Sequence, residues 1–118
     1  MINLTQHKAS AEQVSAGVID LHETAHAEIC GWITFGHLPS REELIERARK
    51  AAAAAATYAP EGTDSAMIGG APFFMGHLAH ALAERGITPY YAFSRRVAVE
   101  KDGVKTSQFT HEGFVPHY

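Results

Sequence analysis

Apolar and polar positions alternate at the start of the chain, in Met1-Ile2-Asn3-Leu4, and then give way to the polar trio Thr5, Gln6 and His7. This pattern predicts a short strand whose carboxyl end carries hydrogen-bonding groups. Ser10 followed three residues later by Gln13 forms a capping-box pattern, so a short helix is expected from about Ala11 to Ala16, stopped at Gly17. Val18-Ile19-Asp20-Leu21 then reads as a second strand. From Glu23 to Phe35 the apolar positions Ala27, Ile29, Cys30 and Ile33 recur at helical spacing, with Gly36 as the stop. Ser40 is a strong N-cap: Glu43 follows three residues on, and acidic side chains fill the first turn, where the helix dipole favours them. A long helix should run from there to about Tyr58. Its alanine run, Ala51 to Ala56, suits close packing of backbone against a neighbour.

After the loop Ala59-Pro60-Glu61-Gly62-Thr63-Asp64 comes Ser65-Ala66-Met67-Ile68, then the turn Gly69-Gly70-Ala71-Pro72. Phe73, Phe74, Met75, Leu78, Ala79, Leu82 and Ala83 follow at helical spacing, with Pro72 in the first helical position and Gly86 as the left-handed cap. Ile87 to Ser94 is a further strand. Strand, glycine turn, helix, strand is a βαβ unit, which implies parallel pairing and a right-handed crossover. The last quarter reads as a β-hairpin, with Val97 to Glu100 and Val104 to Phe109 joined by an Asp102-Gly103 turn. The expected fold is one α/β domain over residues 1–118, with a mainly parallel sheet, flanking helices and a C-terminal hairpin.

Composition changes this picture little: 118 residues, 46% hydrophobic and 19% charged, suit one globular domain with its own core. The formal charge of −3 argues against binding duplex nucleic acid, whose affinity comes from many Lys and Arg contacts to phosphate. The eight histidines are unusual. Protonating all of them would move the charge from −3 to −3 + 8 = +5, so metal binding or a pH response has to be considered. Cys30 is the single cysteine, the first twenty residues lack a secretory pattern, and no apolar run is long enough for a membrane span. A cytoplasmic protein with no membrane partner is expected.

Three segments can carry chemistry. Glycines at Gly69-Gly70 let backbone approach a ligand, and the helix start at Ala71-Pro72 offers free N–H donors suited to phosphate. Ser94-Arg95-Arg96 closes the same βαβ unit at the carboxyl end of its strand, where ligands bind in open parallel sheets, and arginine holds phosphate through paired hydrogen bonds. Thr5-Gln6-His7 would converge on them. The third segment, His22-Glu23-Thr24-Ala25-His26, is a literal H-E-x-x-H: on a helix it would present two histidines to zinc and a glutamate to the metal-bound water. Glu42, Glu43, Glu46 or His37 would then be the third ligand. His77 and His80 share a helix face and read as a solvated or partner-facing stripe, and His111 follows the hairpin.

Taken together, the strand ending Thr5-Gln6-His7, the Gly69-Gly70-Ala71-Pro72 turn and the strand ending Ser94-Arg95-Arg96 resemble small single-domain proteins of the CRISPR-associated Rossmann fold, several of which are ring nucleases of antiviral defence. The resemblance implies a Rossmann-like homodimer that binds a cyclic oligoadenylate or other phosphorylated nucleotide and opens it without metal or other cofactor, by attack of a ribose 2′-hydroxyl. Carried onto this chain, His7 would be the base and Arg95 or Arg96 the phosphate clamp. Ser94 would position the ligand, and Thr5, Gln6, Gly69, Gly70, Ala71 and Pro72 would bind it. The segment from His22 to Tyr58 has no counterpart in that resemblance. Other readings are a sequestering protein with the same pocket and no turnover, a zinc peptidase using His22 and His26, and an interaction module.

Overall fold

The computed structural model describes residues 1–118. Along the chain lie β1 (Ile2–Asn3), α1 (Ala11–Ser15), α2 (Glu23–Ile33), α3 (Arg41–Tyr58), β2 (Ser65–Ile68), α4 (Pro72–Ala83), β3 (Thr88–Lys101) and β4 (Val104–Pro116). The four strands form one sheet in the order β1-β2-β3-β4. β1 pairs β2 in parallel through Ile2↔Ala66 and Asn3↔Met67, and β2 pairs β3 in parallel from Ser65↔Thr88 to Ile68↔Tyr91. β3 and β4 run antiparallel from Tyr90↔Pro116 to Lys101↔Val104. The sheet is therefore mixed rather than mainly parallel, because its longest ladder is the antiparallel one.

Alternation of side chains assigns the two faces. Ile2, Leu4, Ala66 and Ile68 point one way and join Ile29, Ile33, Phe74, Leu78 and Leu82 in one buried cluster. Ala48, Ala51, Ala52, Ala54 and Ala55 of α3 belong to the same cluster, so the alanine run does allow the close packing expected of it. All three long helices lie on this face. Asn3 and Met67 point to the other face, and no residue of α1 enters the cluster. The expected flanking helices are thus present, with the three long ones on a single face. Right-handed crossovers from β1 to β2 and from β2 to β3, all stepping in one direction, place every long helix on one side.

Two further expectations change. Val18-Ile19-Asp20-Leu21 makes a single parallel bridge, Ile2↔Ile19, and no strand. The carboxylate of Asp20 is taken up by Asn3 Nδ2 (2.8 Å) and the Ala9 amide (3.1 Å), and two residues later His22 already caps α2, so the ladder cannot extend. α2 stops at Ile33, short of Gly36: Thr34 turns to extended geometry, and the Arg47 guanidinium takes the free carbonyls of Gly31, Trp32 and Thr34. The freed Phe35 ring packs edge-on against Phe73 and Phe74.

The strand expected at Ile87 to Ser94 and the first strand of the hairpin are one continuous element, β3. Beyond Tyr91 it outruns β2 and is paired only with β4, so the two form a projecting ribbon. Its tip is a turn at Asp102-Gly103 in which both residues have positive φ, as the Asp-Gly pair predicts. The radius of gyration is 15.6 Å, against about 13.5 Å for an ordinary globular chain of this length. No helix is long and apolar enough to cross a membrane.

Candidate functional site

The carboxyl end of β1 is shaped by Asn3, a polar residue only 4% exposed. Its Nδ2 donates to the His7 carbonyl (2.7 Å) and to Asp20 Oδ1 (2.8 Å), while its Oδ1 accepts from the Thr5 amide (2.9 Å) and hydroxyl (2.7 Å). All four hydrogen-bonding positions of the buried amide are filled, so it pins the Thr5–His7 turn without leaving an unpaired polar group. The Thr5 hydroxyl oxygen also lies 3.0 Å from the His7 carbonyl, so its one proton can serve either Asn3 Oδ1 or that carbonyl. Ser10 and Gln13 complete the expected capping box at the start of α1.

The turn after β2 lies directly beside this loop. A Cβ on Gly69 would stand 3.5 Å from Thr5 Cγ2, and Gly70 has φ +141°, a conformation that side chains disfavour. Ala71 caps α4 without a side-chain hydrogen bond, and Pro72 takes its first position. The geometry follows from connectivity. The chain leaves β1 toward the Ile19 bridge on one side and leaves β2 toward β3 on the other, so the loops after β1 and β2 separate and a crevice opens at their carboxyl ends.

The crevice is a cavity of about 490 Å³ lined by Thr5, Gln6, His7, Lys8, Ser10, Gln13, Met67, Ile68, Gly69, Gly70, Tyr91 and Ala92. No acidic residue lines it, whereas Lys8 and His7 do. The wall is polar on the Thr5–Gln13 side and apolar at Met67, Ile68 and Ala92. Tyr91 closes one end with its hydroxyl 2.8 Å from His117 Nδ1. Burial, and then the nearby Tyr118, push the Tyr91 phenol above its ordinary range, so it stays neutral.

The structure thus brings five of the expected residues, Thr5, Gln6, His7, Gly69 and Gly70, into one cavity. Ala71 and Pro72 sit behind it as the N-terminus of α4 and do not line it. Ser94, Arg95 and Arg96 are on the ribbon and do not reach the cavity of their own chain. The expected strand end at Ser94 does not exist, because β3 continues to Lys101. Arg95 Nε pairs with Glu112 Oε1 at 2.8 Å, and the Arg96 guanidinium lies over the Phe109 ring at 5.2 Å. Sequence reasoning missed Asn3 and Lys8. A polar residue inside an otherwise apolar strand was the available signal for Asn3, since such a residue has to be hydrogen-bonded by its surroundings.

The H-E-x-x-H motif does not form a zinc site. His22 is the N-cap of α2 rather than part of its body: its Nδ1 accepts from the Ala25 amide at 3.4 Å, and its ring meets Tyr58 edge-on. His26 Nε2 lies 3.2 Å from Cys30 Sγ instead, and burial raises the Cys30 thiol pKa. Of the suggested third ligands, Glu43 is held by His37 (3.1 Å) and Arg47 (3.0 Å), and no group of three His, Cys, Asp or Glu side chains is placed to hold a metal ion. His80 pairs with Glu84 at 2.8 Å on an exposed face. His111 packs its ring against Phe114, and its amide donates to Glu12 Oε2.

No curated protein and no solved structure matches the chain. Residues 1–115 match the model of the Uncharacterized protein MJ1673 family, and the chain belongs to that family.

Proposed function

We propose that the protein binds a phosphorylated nucleotide in the cavity between the Thr5–Lys8 loop and the Gly69-Gly70 turn. The carrying observation is that one cavity, free of acidic residues, gathers two glycines, hydroxyl and amide side chains, an imidazole and an ammonium group at the ends of adjacent parallel strands. Backbone N–H groups and Lys8 suit phosphate oxygens, while Met67, Ile68 and Ala92 supply the apolar wall on which a base can rest. This arrangement supports a Rossmann-like reading of the fold, with the Ile19 bridge as a vestigial outer strand. It also agrees with the resemblance to cyclic oligoadenylate binders, with one change: the ribbon arginines of the same chain are not the clamp.

A cavity of 490 Å³ lies in the range that encloses one small ligand, so it takes one or two nucleotide units. A cyclic oligonucleotide would be shared between two copies. The His7 ring makes no hydrogen bond within the chain, which leaves it free to take a proton from a ribose 2′-hydroxyl as that oxygen bonds to the adjacent phosphorus, the P–O5′ bond breaks and the departing 5′-oxygen is protonated from water, giving a 2′,3′-cyclic phosphate and a 5′-hydroxyl. The acid–base chemistry needs no metal. Labelled cyclic tetra- and hexa-adenylate incubated with the protein in EDTA tests this reading. Linear product that disappears in His7→Ala supports cleavage, and intact ring retained by both proteins supports sequestration. Failure to retain any nucleotide overturns the proposal.

A further inference from the structure

Two helix faces meet in a second cavity that shares no residue with the first. On α3, Arg41, Ile45 and Arg49 recur every fourth residue and form one stripe; on α4, His77, His80, Ala81 and Glu84 form another. The stripes face each other across a cavity of about 210 Å³, to which the half-buried Ile45 and the buried Ala81 give its apolar part. An adjoining cavity carries the groove past Arg49, Ala81 and Glu84 to Arg85.

The groove holds three guanidinium groups against a single carboxylate, in a chain whose formal charge is −3. That carboxylate, Glu84, is held by His80 at 2.8 Å. Arg47 and Arg95 each have an acidic partner, whereas Arg41, Arg49 and Arg85 have none, and neither Glu42 nor Glu46 of α3 lines the groove. His77 adds a half-buried imidazole. Cations gathered without a counter-charge repel one another, and an anion between them removes that repulsion.

We propose that this groove binds a phosphoryl group. Shape and donor placement select the class. A planar carboxylate is satisfied by one guanidinium through two parallel hydrogen bonds, whereas a tetrahedral phosphate has oxygens for donors on opposite walls, here Arg41 and Arg49 on α3 and His77 on α4. At about 210 Å³ the cavity is smaller than those that enclose a drug-sized ligand, so it takes the phosphoryl group itself, free or at the end of a larger molecule that extends toward Arg85. With no residue common to the two cavities, the groove binds phosphate whether or not the strand-end cavity binds nucleotide.

The arginine Nε–Hε and backbone amide resonances of the 15N-labelled protein, titrated with inorganic phosphate and separately with O-phosphoserine, test this at an ionic strength held constant with sodium chloride. Arg41, Arg49, His77 and Ala81 should shift and saturate at millimolar ligand, while Gly69 and Gly70 report the strand-end cavity separately. Saturation with O-phosphoserine assigns the groove to a phosphoryl group on a larger molecule, and saturation with inorganic phosphate alone assigns it to the free ion. Arg41→Gln with Arg49→Gln, two exposed positions, should weaken the affinity read at His77 and Ala81 by about tenfold or more. Lys101→Gln with Lys105→Gln removes the same charge from the ribbon and should change it by less than about twofold. The proposal is overturned by shifts that fail to saturate with either ligand, by unchanged affinity in the arginine double variant, or by an equal loss in both double variants.

Discussion

The body of the molecule and its ribbon are held together by different physics. In the body, Ile2, Ala51, Ala52, Phe74, Leu78 and Leu82 are fully excluded from solvent, and burial of this kind stabilises by about 1.5–3 kcal/mol for each large side chain. From Tyr90 to Tyr118 no residue is buried, and order rests on a backbone ladder and on local pairs such as Arg95–Glu112. The two regions are parts of one strand, β3, whose first residues pair with β2 in the core and whose last residues leave it. Hydrophobic surface buried within the chain sets the body, whereas backbone pairing sets the ribbon and leaves Phe93, Val104 and Phe109 exposed.

The largest effect should therefore come from the body. Phe74→Ala removes a ring packed against Phe35 and the core, and should lower stability by about 3–5 kcal/mol in urea titrations, a large share of a typical domain's total. Val97→Ala on the ribbon should change the stability of the isolated chain by less than about 0.5 kcal/mol. Equal losses at the two positions would break the comparison.

Asn3 sharpens it, because here the body reaches into the cavity. Asn3→Leu strands the Thr5 amide and removes one partner each from Asp20 and the His7 carbonyl, and should cost about 2–3 kcal/mol. Nucleotide affinity should fall further than in a Gln6→Ala control, since the whole Thr5–His7 turn loosens. Measuring denaturation and binding on the same preparations checks both.

The smallest expected effect is electrostatic. A hydrogen bond from His37, aided by the charges of His37 and Arg47, holds the Glu43 carboxyl below its ordinary range. A depressed carboxylate contributes stability that is present above its unfolded value of about 4.3 and lost as pH falls through the lower folded value. Glu43→Gln should remove that acid-side slope by lowering stability slightly near neutrality, with the two proteins converging near pH 3, as followed by thermal melts from pH 6 to about pH 3.

Much of this was legible in the residues. Ser40, Pro72 and Gly86 bounded their helices because caps are local chemistry, and the Asp102-Gly103 turn was set by backbone conformation alone. The cavity was half legible: Thr5, Gln6, His7, Gly69 and Gly70 converge because polar groups at strand ends and glycine turns have few other uses. The ribbon arginines were misplaced, because whether a strand stops at Ser94 or runs on to Lys101 depends on pairing with β4, from Ser94↔His111 to Lys101↔Val104. The H-E-x-x-H spacing, an alternative reading only, presents two histidines on one helix face only if the helix has begun at His22. It begins one residue later.

The central claim is that the loop after β1 and the turn after β2 form one phosphate-accepting site. Amide chemical shifts of the 15N-labelled protein, titrated with AMP and with cyclic tetra-adenylate in EDTA, test it directly. The account predicts the largest saturable shifts at Gly69, Gly70 and Thr5 through Lys8, with the Arg95 and Arg96 amides unmoved by AMP. Shifts confined to the ribbon, or none at the two glycines, would contradict it.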